Sequence, residues 1–117
     1  MNYYPDKFVL VKITSDKEPK GYYRVFASWY GGYLSGDSWK MNSGCTSVQT
    51  LDNCYVFTGK SSSQYICHKD TYGCSGYSAG VLYNMEEQCK PKGIIIEVVQ
   101  EEDLLEVIAS INKGEQE

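Results

Sequence analysis

The chain has 117 residues, a length that favours one domain, residues 1–117, with a core of its own. Its 42% hydrophobic and 22% charged residues are ordinary for a globular protein and argue against intrinsic disorder. The net charge is −4, and residues 86–117 carry nine acidic against three basic side chains. An acidic chain lacks the basic footprint that duplex nucleic acid requires, so we expect no direct nucleic-acid binding.

The sequence predicts neither a targeting segment nor a membrane span. Its start, MNYYPDK, has no apolar stretch, and the apolar run at residues 8–11 is far too short to cross a bilayer. Five cysteines follow no secreted disulfide framework, and their odd number leaves at least one thiol free. We therefore expect a cytoplasmic protein, without membrane contact, whose cysteines are mostly small buried hydrophobic side chains.

Short strands dominate the first two thirds of the chain. Residues 7–14 (KFVLVKIT) are apolar on both faces and predict a central strand. Residues 21–30 alternate but lack a clearly polar face, which predicts a strand covered at least partly on both sides. Asp52-Asn53 is a two-residue hairpin loop, because both residues tolerate positive φ. Further short strands are predicted at residues 38–42, 46–51, 54–58 and 63–68.

The periodicity changes to a helical one after Gly76. Ser78 is the predicted N-cap of a helix that runs to about Cys89. Residues 93–99 (GIIIEVV) predict a second buried strand, and a last helix follows the acidic residues 101–103 and ends at Gly114.

These elements predict an α+β fold. An antiparallel β-meander is expected to form a curved sheet or half-open barrel, with two C-terminal helices flanking a buried strand. The two most apolar strands, residues 8–13 and 94–99, should lie near each other at the sheet centre.

No catalytic or metal motif stands out. Cys67, His68 and Cys74 lack the paired ligands two to four residues apart that zinc sites show, and Cys67 and His68 should point to opposite faces of a strand. The acidic residues of the aromatic region, Asp37, Asp52 and Asp70, lie in turns and form no obvious pair, and the sequence shows neither a Walker loop nor a dinucleotide fingerprint. We therefore predict a non-enzyme without metal or cofactor. The loop at residues 59–63 (GKSSS) favours anions only weakly, and a plain hairpin explains it about as well.

The segment at residues 36–44 (GDSWKMNSG) is the most distinctive. Trp39 is expected in the core. Lys40, Asn42 and the neighbouring Arg24 have two readings of about equal weight: the wet face of an edge strand, or contacts to an anionic or base-like ligand on which a tyrosine stacks.

Tyrosine is in surplus, since eleven phenol rings exceed what so small a core can hold with satisfied hydroxyl groups. Some rings must therefore be exposed, and an exposed aromatic patch marks contact with a target or with another copy of the chain. We expect a homo-oligomer. The predicted ligand-binding residues are Arg24, Tyr30, Tyr33, Lys40, Asn42, Ser43, Tyr65, His68 and Lys69.

In compact size, acidic tail, unpaired cysteines and a Tyr/Ser/Gly-rich sheet, the chain resembles the small accessory proteins of bacteriophages and prophages, including those that counter host defence. The resemblance implies a cytoplasmic binding protein that sequesters or inhibits a host protein or a nucleotide-like small molecule. An alternative is an inhibitor whose acidic C-terminal face mimics nucleic acid, as anti-CRISPR and nuclease inhibitors do. A third reading, an enzyme that uses His68 as a base, has the least support.

Overall fold

A computed structural model describes residues 1–31 and 36–114. These residues form eight strands and two α-helices. Helix α1 (Gly76–Cys89) lies between the seventh and eighth strands, and helix α2 (Leu104–Lys113) follows the eighth. No helix in these residues is both long and apolar enough to cross a membrane. The strands are β1 (Asn2–Tyr3), β2 (Lys7–Thr14), β3 (Tyr22–Trp29), β4 (Ser38–Met41), β5 (Cys45–Thr50), β6 (Cys54–Gly59), β7 (Gln64–His68) and β8 (Ile95–Val98).

The strands form two four-stranded sheets. Sheet I has the order β4-β3-β2-β8, and sheet II has the order β1-β7-β6-β5. All pairs are antiparallel except β1 with β7. The α+β prediction with two C-terminal helices is confirmed. The strands do not close into a barrel. Strands β4 and β5 follow each other in the chain but lie in different sheets and do not pair.

Strand β2 is the centre of the molecule, as its apolar pattern predicts. Phe8 and Leu10 face an inner core that also contains side chains of sheet II and of α2. Val9, Val11 and Ile13 face an outer core on the other side of sheet I, which α1 covers. A strand buried on both faces needs apolar residues at successive positions, which explains the unbroken run FVLV.

Helix α1 begins three residues earlier than the sequence predicts. Ser75 is the N-cap: its Oγ accepts a hydrogen bond from the Ser78 backbone N–H at 3.1 Å. The Ser78 hydroxyl in turn accepts from the Ser75 N–H at 2.8 Å, which completes a capping box. Leu82 is the helix's fully buried apolar contact with the outer core.

Strand β8 pairs with β2, as predicted, but it is an edge strand and not a buried central one. Only Ile96 of its four residues is buried, and Ile95 is exposed. The prediction of a buried strand is wrong here for two reasons. Helix α1 packs against β8, and Ile96 is the one residue of the strand that is buried. The edge of β8 away from β2 pairs with no further strand among the described residues. The hairpin at Asp52-Asn53 is confirmed, with the Leu51 N–H donating to the Cys54 carbonyl at 2.9 Å, but neither loop residue has the positive φ on which the prediction is based.

Candidate binding surface

Three large aromatic side chains are exposed at one end of sheet I. Tyr4 is 65% exposed, Tyr30 is 57% exposed and Trp39 is 41% exposed. We call these three residues the aromatic surface. They come from three chain segments that meet where β2 and β4 begin and β3 ends, since Trp39 pairs with Ser28 in the β3–β4 ladder. Exposed rings of this size in one region of a small protein are typical of contact sites.

Hydrogen bonds to the backbone hold this end of the sheet in place. The Tyr30 N–H donates to the Asp6 carboxylate at 2.8 Å, and the Trp29 indole N–H donates to the Tyr4 carbonyl at 3.0 Å. Trp29 also meets the Tyr3 ring edge to face, with 6.3 Å between ring centroids. The exposed rings therefore lie on a backbone that is already held in place. Less conformational entropy of this chain is then lost when a partner binds.

Trp39 is not the core residue that the sequence predicts. One face of its ring packs on Phe26, with centroids 5.5 Å apart, and the other side is open to solvent. Phe26 is the buried partner of this pair. Because β4 is an edge strand, a ring on it covers its neighbour without being covered itself.

Lys40 lies on the opposite face of β4 from Trp39. Its Nζ is 5.3 Å from the centroid of the Tyr3 ring, which is close enough for a cation–π contact. Tyr3 in turn packs on Tyr65 at a centroid distance of 4.9 Å. Lys40 therefore borders the aromatic surface, but its ammonium group already makes a cation–π contact within the same chain.

Two predicted ligand-binding residues are buried. Tyr65 is 1% exposed, and burial raises the pKa of its hydroxyl to about 12. Asn42 is 3% exposed; its Oδ1 accepts from the Val25 N–H at 2.8 Å and its Nδ2 donates to Cys45 Sγ at 3.5 Å. Both readings of Asn42, wet edge or ligand contact, fail because its amide group is occupied inside the protein. Tyr65 fails as a stacking residue because it belongs to the inner core.

The remaining predicted residues that the structure describes fall into two separate groups. Arg24 Nε donates to the Asn42 carbonyl at 2.6 Å, close to the exposed Ser43 at the crossover between the sheets. His68 and Lys69 lie at the opposite end of sheet II from this crossover, and Lys69 Nζ is 5.2 Å from the centroid of the Tyr55 ring. Tyr33 lies outside the described residues. The predicted set therefore does not form one site.

His68 is the hydrogen-bonded strand-end residue that the less ambitious reading predicts. It ends β7, and its Nδ1 accepts from the Asp70 N–H at 3.3 Å and lies 3.7 Å from the Asp70 carboxylate. Among the described residues, no three His, Cys, Asp or Glu side chains are placed to share a metal ion. Burial raises the pKa of the Cys45 thiol to about 11 and that of the Cys67 thiol further, which makes both poor nucleophiles.

Sequence reasoning missed a cleft at the opposite end of sheet I. Tyr22 and Lys60 both line it, and Lys60 Nζ is 5.5 Å from the Tyr22 ring centroid. The one sequence signal for it was the loop at residues 59–63, which weakly favours anions. The residues across the cleft from this loop come from distant parts of the chain, so the sequence alone does not place them together.

Comparison with known protein families, curated proteins and solved structures finds no match.

Proposed function

We propose that the protein is a non-catalytic cytosolic binding protein that sequesters or inhibits a partner protein through the aromatic surface. The observation that supports this proposal is the exposure of Tyr4, Tyr30 and Trp39 together at one end of sheet I. Aromatic anchors of this kind supply most of the binding free energy in protein interfaces, because each ring removes a large area from water at a low rotamer cost.

Two carboxylates beside the rings favour a cationic partner group, whereas the bordering Lys40 lies over the Tyr3 ring of the same chain. Asp6 and Asp37 are exposed at this end and accept hydrogen bonds from the Tyr30 and Gly31 backbone, which fixes their carboxylates near the rings. A guanidinium or ammonium group can meet a ring face and a carboxylate at once. The proposed partner therefore presents an Arg- or Lys-containing segment.

A displayed library of random peptides tests this proposal. Peptides retained by the wild type should be enriched in Arg and Lys, and a Tyr30→Ser/Trp39→Ser double variant should lose at least tenfold of the enrichment. Tyr83→Ser is the matched control, because Tyr83 is an equally exposed tyrosine on α1. Equal enrichment by the double variant, or no enrichment by the wild type, would exclude the aromatic surface as the binding site.

We also propose that the protein forms a homo-oligomer in which the aromatic surfaces of two copies meet. Sedimentation of the wild type should then show a dimer or larger species that the Tyr30→Ser/Trp39→Ser variant loses. A wild type that remains a monomer at high concentration would refute the homo-oligomer and leave the surface to a different partner.

The acidic C-terminal face supports the second candidate, a protein inhibitor that mimics nucleic acid. Glu101, Glu102, Asp103 and Glu106 are exposed, and none of them is in an ion pair with another described residue. Charge reversal at Glu101, Glu102 and Glu106 should abolish inhibition of a non-specific nuclease, whereas reversal at Glu87 on α1 should not. Unchanged inhibition, or none by the wild type, would reject this candidate.

A further inference from the structure

A cleft of about 320 Å³ lies between the β2–β3 turn and the β6–β7 hairpin. Its apolar wall consists of Ile13, Ile94 and the ring of Tyr22, and its polar wall includes Ser43 and Lys60. A second cleft of about 440 Å³ shares Glu18, Tyr22 and Lys60 with it. Concave sites of this size with one apolar and one polar wall suit small organic ligands.

The polar wall is a row of hydroxyl groups joined to the backbone. Ser43 Oγ accepts from the Ser61 N–H at 3.1 Å and lies 3.3 Å from Ser61 Oγ, which is 3.4 Å from Ser63 Oγ. The Lys60 N–H donates to the Gly44 carbonyl at 2.9 Å, so the hairpin is tied to the crossover. Of these serines Ser43 lines the cleft, and its hydroxyl group can rotate from Ser61 Oγ to donate to an anion there.

Lys60 is held over this wall without an acidic partner. No carboxylate of the described residues lies within 4.0 Å of its Nζ. A Cβ placed on Gly44 would lie 3.3 Å from Lys60 Cε, a tight contact, so the glycine gives the lysine stem room beside the backbone. Lys60 Nζ lies 5.5 Å from the centroid of the Tyr22 ring, and this cation–π contact favours a position of the charge beside the cleft.

The charges that line the cleft leave a small cationic excess. Lys17 and Lys60 oppose a single carboxylate, that of Glu18 in the β2–β3 turn. The anion of a ligand therefore belongs at the Ser43–Lys60 side, and Glu18 can accept from an N–H or O–H group elsewhere on the ligand.

We propose that this cleft binds a small molecule in which a phosphate group is joined to a planar ring. The phosphate accepts from Lys60 and the Ser43 hydroxyl, and the ring lies on Tyr22 against Ile13 and Ile94. Both contacts follow general chemistry: charge-assisted hydrogen bonds are about twice as strong as neutral ones, and a base stacks on an aromatic side chain whatever its sequence. The cleft is at the opposite end of β3 from the aromatic surface, so the proposal is independent of the proposed function.

Nuclear magnetic resonance titration of the whole protein tests the site. The probes are adenosine monophosphate, uridine monophosphate, adenosine and inorganic phosphate, and the reporters are the backbone amides of Gly44, Lys60 and Ser61. At least one nucleotide should shift these amides and bind at least tenfold more tightly than both adenosine and inorganic phosphate. The first comparison measures the phosphate contact and the second measures the ring contact.

Two lysine variants identify the charge that binds. Lys60→Met keeps the aliphatic stem over Tyr22 but removes the charge, and it should weaken nucleotide binding at least tenfold. Lys69→Met is the matched control, since Lys69 also lies over a tyrosine ring but at the far end of sheet II. Its affinity should equal that of the wild type.

Four results would overturn the proposal. They are no shift of the cleft amides with either nucleotide, equal affinity for nucleotide and inorganic phosphate, unchanged affinity in Lys60→Met, and an equal loss in Lys69→Met. Amide spectra of both variants without ligand show whether each is folded. Should Lys60→Met not fold, Lys60→Gln takes its place with the same expected loss.

Discussion

At the scale of single residues, Asn42 replaces a strand neighbour beside β3 where β4 ends. Its backbone N–H donates to the Val25 carbonyl at 3.1 Å, and its side-chain Oδ1 accepts from the Val25 N–H at 2.8 Å. One residue thus satisfies both polar groups of a buried strand position. The chain can therefore leave sheet I while the Val25 N–H and carbonyl groups both keep a hydrogen-bond partner.

Asn42→Ala should therefore destabilise the fold, because the Val25 N–H would be left buried without an acceptor. The expected loss is about 1–3 kcal/mol in the free energy of unfolding, measured by urea denaturation. Asn84→Ala, at an exposed position of α1, should change it by less than about 0.5 kcal/mol. Equal losses in the two variants would show that the Asn42 amide is dispensable.

Cys45 makes the stability depend on alkaline pH. Burial raises the pKa of its thiol from an ordinary 9.0 to about 11, while hydrogen bonding by Asn42 opposes the rise. In the unfolded chain the thiol ionises first, so its contribution is complete below pH 9.0 and is lost as the pH rises toward 11.

The wild type should consequently lose stability between pH 9 and 11 with an extra slope of about 1.4 kcal/mol per pH unit relative to Cys45→Ala. Urea denaturation at pH 8 and at pH 10.5 measures the two slopes. The variant starts from a lower stability at pH 8, but its decline should be shallower. Parallel declines would contradict the assignment, since the buried tyrosines are common to both proteins.

At the scale of elements, helix α2 protects the open edge of β5. The Asn112 side chain accepts from the Val48 N–H at 2.8 Å and donates to the Val48 carbonyl at 3.0 Å, which is the pattern a neighbouring strand would offer. Unpaired strand edges invite association with other chains, and a covering helix is one of the ways proteins prevent it.

Asn112→Ala should expose this edge. Amide hydrogen exchange at Val48 should become at least tenfold faster, and the free energy of unfolding should fall by about 1–3 kcal/mol. The control is Lys113→Ala, the next residue of α2, which makes no such contact with β5 among the described residues. Val48 protection that survives in Asn112→Ala would mean that the edge is covered by other means.

The sequence predicts these elements better than their arrangement. Alternation and turn residues indicate every strand from β2 to β7, because period and turn chemistry are local properties. The division into two sheets depends on Asn42 and Gly44, whose roles appear only when β3 and β6 are beside them. For the same reason Tyr65, expected at the surface, is buried, and Trp39, expected in the core, is exposed. A periodic pattern shows which residues share a face, but not whether another element covers it.

At the scale of the whole molecule, β2 joins the two cores. Leu10 faces the inner core, and its neighbour Val11 faces the outer core. Neither core can lose β2 without exposing the other, so the protein should unfold in a single cooperative step. The two tryptophans report on the two sides, since Trp29 packs against the inner core and Trp39 stacks on Phe26 of the outer core.

Single-tryptophan variants measure this coupling. Trp39→Phe leaves Trp29 as the probe of the inner core, and Trp29→Phe leaves Trp39 as the probe of the outer one. In each background Leu10→Ala should lower the free energy of unfolding by about 2–5 kcal/mol, because it empties a fully buried inner-core position. The loss seen by Trp39 should equal that seen by Trp29, although Leu10 belongs only to the inner core. If the outer probe keeps its original midpoint in urea, the cores unfold separately and β2 does not couple them.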